Sequence, residues 1–465
     1  MTTENAEGRR GTLHPIEPNG TVLDAPGRMN GSIEGGVLIV GAGPTGLTLA
    51  VDLARRSVPF RLIEAAPRSF AGSRGKGLQP RTLEVFDDLG VIDAVMASGA
   101  LYPRLRIHAG PFSWTGGSLG TSKAATEEVP YPNLWMVPQN RTEEILRERL
   151  QELNGRVEFG VALVDFAQDD GGVRAELSNG EMVRAEYLVG CDGARSGVRK
   201  TLGLELVGET LSDKLTLVGD VGVEGLDRGY WHVWPFAKGG PLGLCALPGA
   251  ELFQLTAAAA VETRIAEAVK EATGFRVSHV AWSSTYRAQV RMVGRYRVGR
   301  VLLAGDAAHV HPPAGGQGLN TGVQDAYNLG WKLAHVLRGG PQELLDSYEQ
   351  ERLPIAAAVL ELSKRLLQTR SLKRGDLTNQ LGLNYRASPL STGTVSGTLH
   401  PGDRMPDARL DDGSRLFDRM RGPHATAVVM RNGTRILVRP DGYIASIGGA
   451  EVEEYAGEAT RLVYA

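Results

Sequence analysis

Residues 37–56, VLIVGAGPTGLTLAVDLARR, restrict the fold more than any other stretch of this 465-residue chain. Val37 to Val40 read as a short buried strand, GAGPTG places glycines at 41, 43 and 46, and an amphipathic helix is expected to about Arg56. In that strand, turn and helix context Gly41 permits the tight turn, Gly43 lets a pyrophosphate approach the backbone, and Gly46 lets the helix lie on the strand. Pro44 and Thr45 complete the cofactor-binding turn. A second strand, PFRLIE, ends at Glu64. A carboxylate there bonds a free ribose 2′-hydroxyl and repels a 2′-phosphate, which favours FAD or NAD over NADP.

A second glycine-rich stretch, RVLLAGDAAHVHPPAGGQGLNTGVQDAYNLGWK, begins at Arg300. It reads as a buried strand from Val301 to Ala304, a turn carrying Asp306, a Pro/Gly loop with Pro313, Gly315 and Gly318, and a helix opening near Leu319 and Asn320. The unpaired N–H groups of that helix start suit an electron-rich, anionic ligand such as the pyrimidine edge of a reduced flavin. Asp306, at a strand end, is placed to bond the hydroxyls of a ribityl chain. A second strand-end aspartate motif, YLVGCDGARSGVRK, carries Asp192 and Gly193.

Composition narrows the class. A formal net charge of -2 with 22% charged residues gives no basic bias toward nucleic acid or anionic lipid. No apolar run approaches the roughly 18 residues that span a bilayer, so no membrane association is expected. Cys191 and Cys245, the two cysteines, lack CxxC or metal-like spacing and point to a reducing, cytoplasmic setting. His309 and His311 have the spacing of paired metal ligands, but no third ligand of the usual kind lies nearby in sequence, so no metal is assigned.

Along the rest of the chain, residues 1–35 read as a flexible polar tail. Arg68, Arg74 and Lys76 precede a helix containing Arg81, and Arg74 is the candidate to neutralise a pyrophosphate. Asn140 and Glu143 resemble a capping box, with Gln139 and Arg141 at the helix start and within reach of a cofactor. Between Leu211 and Tyr286, short strands carry Tyr230, Trp231, His232, Trp234 and Phe236, and Tyr230, His232 and Trp234, with Pro313, are the candidate substrate contacts. His108, His232 and Tyr230 are the only candidates for an acid or base, and the catalytic residue stays unassigned.

GAGPTG at 41–46, CDGARSGVRK at 191–200 and GRVLLAGDAAHVHPPAGGQGLNTG at 299–322, in that order, resemble the class A flavoprotein aromatic hydroxylases. The family is typified by p-hydroxybenzoate and phenol hydroxylases, and the nearer likeness is to the branch that tailors aromatic polyketides or hydroxylates phenylpropionates. The resemblance covers residues 36–365. It implies an α/β fold, with a Rossmann-like FAD-binding domain from 36–100, 137–210 and 287–345. An inserted, mostly antiparallel β substrate domain would come from 101–136 and 211–286. A helical region and linker, 346–389, would precede a small C-terminal α/β domain, 390–465, thioredoxin-like in the related branch and a candidate for homodimer contacts. By analogy Gly41, Gly43, Gly46 and Glu64 would bind the adenylate half of FAD, and Arg74 and Asp306 the pyrophosphate and ribityl region. Gln139 would lie near the flavin and the backbone from Gly318 to Asn320 at its pyrimidine edge. Asp192 and Gly193 would serve both FAD and NADPH.

The implied reaction uses NADPH or NADH as a transient donor, because no second GxGxxG strand exists to house a nicotinamide. With O2 it would hydroxylate a phenolic or polyketide-like aromatic substrate through a flavin C4a-hydroperoxide. Baeyer-Villiger or epoxidising chemistry on the same scaffold, and a non-catalytic flavin- or ligand-binding role, are the alternatives.

Overall fold

The computed structural model describes residues 29–119, 122–312, 315–369, 378–430, 432–448 and 462–464. Its central sheet is assembled from distant parts of the chain. Strand Met29–Val40 lies between Met182–Gly190 and Phe60–Glu64, with Val301–Leu303 and Arg297–Val298 beyond the first and Val157–Phe159 beyond the second. The four strands from Val301–Leu303 to Phe60–Glu64 run parallel. Parallel strands covered on both faces need continuous apolar runs, and Val37, Leu38, Ile39, Leu188, Val189, Leu302 and Leu303 are all buried in one core.

The first strand starts at Met29, so the expected tail through residue 35 gives way there. Residues 31–33 pair with 183–185, and a register break between Ile33 and Val37, with Gly35 at φ 63°, joins this extension to the apolar run. The glycine absorbs the irregularity that the sequence reads as a loop. Residues 1–28 and Pro313 lie outside the described residues.

Helix Pro44–Arg55 packs on the long helix Gly318–Leu337 at glycine contacts. A Cβ at Gly330 would stand 2.2 Å from Asp52 Oδ2, and one at Gly322 only 2.4 Å from Thr45 Oγ1. The helix Gln139–Glu152 begins with Pro138 at its cap. Asn140 therefore sits inside the helix, and the expected capping box is replaced by a bond from Gln139 Nε2 to Glu143 Oε1 of 2.9 Å. Proline suits this position because its φ is already fixed.

A second sheet carries the strands His309–Val310, Val277–Met292, Val207–Val223, Phe253–Ala258, Leu242–Ala246, Tyr230–Trp234, Arg104–Ala109 and Phe112–Thr115, in that spatial order. It is antiparallel except where Tyr230–Trp234 meets Arg104–Ala109. Leu217, Val221, Leu244, Phe253 and Leu255 on one of its faces form a core with Ile265, Ala268 and Val269 of the helix Ile265–Thr273.

The C-terminal part builds a mixed sheet in the order Thr392–Gly393, Ile444–Ile447, Arg435–Val438, Thr426–Met430, Leu462–Tyr464. Buried charges tie it to the helices Gly318–Leu337 and Asp346–Gln368. Arg439 donates to Glu351 at 2.6 and 3.0 Å, and Lys332 Nζ donates to the same carboxylate at 2.7 Å. Burial pushes the Lys332 ammonium down to about 8 against the pull of Glu351, while Arg439 and Lys332 outweigh the burial of Glu351 and hold its carboxyl well below the usual range. No described helix is long and apolar enough to cross a membrane.

Candidate active site

The three glycines of the first turn have distinct surroundings. A Cβ at Gly41 would stand 2.5 Å from Cys191 O, and its φ of 101° belongs to glycine. One at Gly46 would stand 2.0 Å from Gly41 O, whereas one at Gly43 would meet nothing within 4 Å. Gly41 and Gly46 thus serve close packing, and Gly43 faces open space. The helix behind it has Gly43 at its cap and no side-chain cap bond, so its first N–H groups face that space. Glu64 closes the turn, accepting from Ala42 N at 2.8 Å and Ala66 N at 2.9 Å.

Thr45 links this turn to the second glycine loop. Its hydroxyl lies 2.5 Å from where a Cβ on Gly305 would be, at φ 62°, so Gly305 and Gly322 together make room for it. Asp306, in the turn Gly305–Ala307, is exposed. Asp306 Oδ1 lies 3.9 Å from the Cβ position of Gly318, where the long helix starts, also without a side-chain cap bond. Asn320 fixes this corner: its Oδ1 accepts from Gln79 N at 2.7 Å, and its Nδ2 donates to Gly77 O and Gly316 O at 2.8 and 2.7 Å. Gln79 Nε2 in turn donates to Gly315 O at 2.9 Å. Leu319 and Gln139 meet at Gly75, whose N–H donates to Gln139 Oε1 at 3.0 Å. Arg74 stands exposed over Phe70 and Trp282, within electrostatic reach of Asp306. Asp192 Oδ2 accepts from Val198 N at 3.1 Å, and Gly193, at φ 76°, has open space at its Cβ position.

One expected contact is not brought to this corner. The Arg141 guanidinium is engaged by Glu144 at 2.7 Å and Glu148 at 3.1 Å along its own helix, and by Ser98 at 3.1 Å.

Residues 34–363 match the family described as FAD binding domain. This chain belongs to that family of flavoproteins. It is 44% identical over 470 residues to a flavin-dependent monooxygenase of Mycobacteroides abscessus, covering 90% of this chain and 98% of that protein. It is 38% identical over 417 residues to the 6-methylpretetramide 4-monooxygenase of Streptomyces rimosus, covering 79% and 73%. The solved structure of the anhydrotetracycline hydroxylase OxyS from Streptomyces rimosus superposes with a TM-score of 0.70 at 31% identity, over 90% of this chain and 96% of that one. The protein is a flavoprotein monooxygenase.

Its residues fit FAD on their own geometry. The open cradle at Gly43, the two uncapped helix starts and the exposed carboxylate of Asp306 line one continuous seat, joined through Thr45. Gly43, Thr45, Glu64 and the Gly318–Asn320 backbone would hold the cofactor there.

The second sheet turns one face to the loop from Gly72 to Lys76 beside the seat. Paired residues of antiparallel neighbours share a face, and the pairs Trp231 with Cys245, Cys245 with Gln254, Gln254 with Asp220, and Asp220 with Trp282 run across it. Each member touches the flavin-side chain. Gln254 Nε2 donates to Ser73 O, Trp282 packs where a Cβ on Gly72 would be, Lys76 Nζ lies 4.6 Å from the Trp231 ring centre, and Cys245 Sγ is 3.8 Å from Met136 Sδ. Asp220 is 1% exposed, and burial outweighs the pull of Ser73 and Lys76, pushing its carboxyl up to about 6. Its Oδ1 has no hydrogen-bond partner among the described residues.

Tyr230, His232 and Trp234 occupy the opposite face. His232 stacks with Trp234 and bonds His108 at 2.9 Å and Asp227 O at 2.7 Å, and Trp234 joins the core under helix Ile265–Thr273. The candidate substrate contacts on this strand therefore lie on the face away from the Gly72–Lys76 loop, because successive strand residues point to opposite faces. Trp231 takes the seat side, together with Asp220, Gln254 and Trp282, which carry no motif of their own. The same geometry turns His108, His232 and Tyr230, the acid or base candidates, away from the seat.

Beneath the seat, His309 and His311 bond each other. His309 Nε2 bonds Asp325 Oδ2 at 2.6 Å and His309 Nδ1 bonds His311 Nε2 at 2.8 Å. Asp325 also accepts from Arg352 Nε at 2.7 Å and Gly305 N at 3.1 Å. Burial alone would raise the Asp325 carboxyl, but Arg352 and His309 hold it below its ordinary value.

Proposed function

We propose that this monooxygenase hydroxylates an electron-rich aromatic substrate, a phenol or aromatic-polyketide-like ring, with NADPH or NADH as donor and O2 as oxidant. The observation that carries the reading is the junction of the seat with the sheet face of Trp231, Gln254, Asp220 and Trp282. There two indole rings and two buried polar side chains, Gln254 and Asp220, meet the cofactor loops, a pairing of apolar surface with a few placed polar groups that suits a small-molecule site. The related proteins named for 6-methylpretetramide, pentachlorophenol and anhydrotetracycline support an aromatic substrate.

Bound FAD would supply, with donor electrons and O2, an electrophilic oxygen. The chain supplies position and shelter. Helix Gly318–Leu337 would direct its positive end at the pyrimidine edge, Asn320 and Gln79 hold the loop rigid, and the sheet face keeps water from the reacting oxygen. A cavity of about 140 Å³ beside Gln79, lined by Leu101, Tyr102, Leu119 and Leu134 among others, has the size of a void that accepts one aromatic ring.

The test is an anaerobic stopped-flow spectrum of the purified protein with NADPH and with NADH, alone and with a panel of phenols and aromatic polyketides. Bleaching accelerated by one compound gives donor and ligand class together, and no bleaching under any pairing overturns the reading. Product mass after turnover in labelled O2 separates hydroxylation from Baeyer-Villiger insertion, which leaves an ester or opened ring. Gly43→Ala tests the seat itself: its Cβ meets no protein atom, so the apo protein keeps its melting temperature while FAD affinity falls by roughly tenfold or more, read by flavin fluorescence quenching.

A further inference from the structure

Arg352, Asp325, His309 and His311 form a line of bonded charges and imidazoles that ends at the cofactor seat. It begins at Arg352, buried among Asp325, Thr321 O and the Tyr385 hydroxyl. It passes through His309, fully enclosed and stacked near Tyr296. It ends at His311, whose ring carbon Cδ2 lies 3.6 Å from the Cβ position of Gly318, the first residue of the helix at the seat.

In the uncharged imidazole pair the bonds set the protons. Asp325 is ionised against Arg352, so His309 donates to it through Nε2. His309 Nδ1 is then an acceptor, and His311 donates to it through Nε2. That leaves Nδ1 of His311 with a bare lone pair. This nitrogen is enclosed and has no hydrogen-bond partner among the described residues, although the residue as a whole keeps some exposure. A buried acceptor without a partner is costly, and the ring that carries it lies, by its Cδ2 edge, against the helix start assigned to the flavin's pyrimidine edge.

We propose that the His309–His311 pair is a proton acceptor coupled to reduction of bound FAD, taking up one proton at Nδ1 of His311 as two electrons and one proton enter the ring. The balance is two electrons and two protons per cofactor: the ring becomes an anion, and the imidazole pair becomes a cation beside it. The charged and titratable groups around the pair are Asp325 and Arg352, which cancel, Asp306 on the turn in front of Gly318 with Arg74 near it, and the neutral phenol of Tyr296. In the oxidised enzyme, burial keeps the His311 imidazole well below its ordinary pKa, so the site is empty of its proton until the anion appears. His311 is a positioning residue in this scheme and need not touch substrate.

The inference rests on the assignment of Gly318–Asn320 to the flavin's pyrimidine edge, but not on the donor or substrate. The experiment is redox titration of the purified holoenzyme with dithionite from pH 6 to pH 8.5, with the midpoint potential of bound FAD followed by its absorbance. The wild type is expected to show the slope of two protons per two electrons, and His311→Gln half that slope. A one-proton slope in the wild type, or an unchanged two-proton slope in the variant, overturns the proposal. Should the variant lose FAD, direct counting decides the matter: photoreduction of the wild-type holoenzyme in weak buffer with an indicator dye must consume two protons per FAD, and consumption of one sinks the idea. Dithionite and light reduce FAD whether or not NAD(P)H is the donor, so failure here is separable from failure of the hydroxylase reading.

Discussion

The two faces of the second sheet come from the same strands, yet they do opposite things with similar residues. On one face Leu217, Leu244, Phe253, Leu255 and Trp234 are sealed under helix Ile265–Thr273. On the other, Trp231, Gln254, Asp220 and Trp282 press on the flavin-side loop from Gly72 to Lys76. The sealed face buries these apolar side chains against one another. The loop-facing one keeps a buried carboxylate near neutrality, with one oxygen unpartnered among the described residues. The difference shows that the fold places stability on one side of a single layer and adjustable electrostatics on the other.

The comparison breaks most sharply at Phe253. Replacing it by alanine empties the sealed face and should cost about 3–5 kcal/mol in denaturant unfolding, with FAD affinity of the folded fraction unchanged. A loss of less than about 1 kcal/mol would mean that the sheet is not anchored by this core.

Asp220 offers a smaller, pH-dependent effect on the other face. Its carboxyl is raised from 3.8 to about 6 in the folded protein, so the native state binds more protons than the unfolded chain between those values. Stability is therefore greatest below the lower value, falls as pH rises toward about 6, and is level above it. The ceiling on that fall is roughly 3 kcal/mol, from about 1.4 kcal/mol per pKa unit. Asp220→Asn should flatten the slope, as measured by urea midpoints across the acid range. An unaltered slope would place the titration elsewhere.

The finest test swaps the two tryptophans of one strand. Trp231→Phe should change substrate KM several-fold with little loss of stability, whereas Trp234→Phe should lower the melting temperature by about a degree, as about 1 kcal/mol does in a chain of this size, and leave KM alone. Reversal of that pattern would reverse the assignment of the faces.

Much of the cofactor seat was legible in the sequence because glycine spacing is a local signal. Gly41, Gly43, Gly46, Glu64 and Asp306 each declare themselves within a few residues of a strand end, and the contacts at those positions follow from the missing side chains. The substrate face was not legible in the same way. Alternation in YWHVW announces two faces but not which of them meets a loop some 150 residues upstream, and choosing Tyr230, His232 and Trp234 selected the sealed one. Arg141 failed for a related reason: a helix start shows which residues are near a site, not which neighbours such as Glu144 and Glu148 compete for a guanidinium. The histidine relay needed three elements, since Asp325 and Arg352 sit on separate helices and neither stands out beside ordinary helix-surface charges.

The order of strands in the central sheet sets a timetable for the ribosome. The apolar segment Val37–Val40 is made early, but its neighbour Met182–Gly190 and the next strand, Val301–Leu303, follow only much later. At bacterial-to-eukaryotic elongation speeds of ~5–20 residues per second, the first strand waits on the order of tens of seconds before the sheet can close around it. During translation this protein is therefore a long-lived client for whatever shields greasy nascent segments, and FAD can be captured only after the helix Gly318–Leu337 has left the exit tunnel.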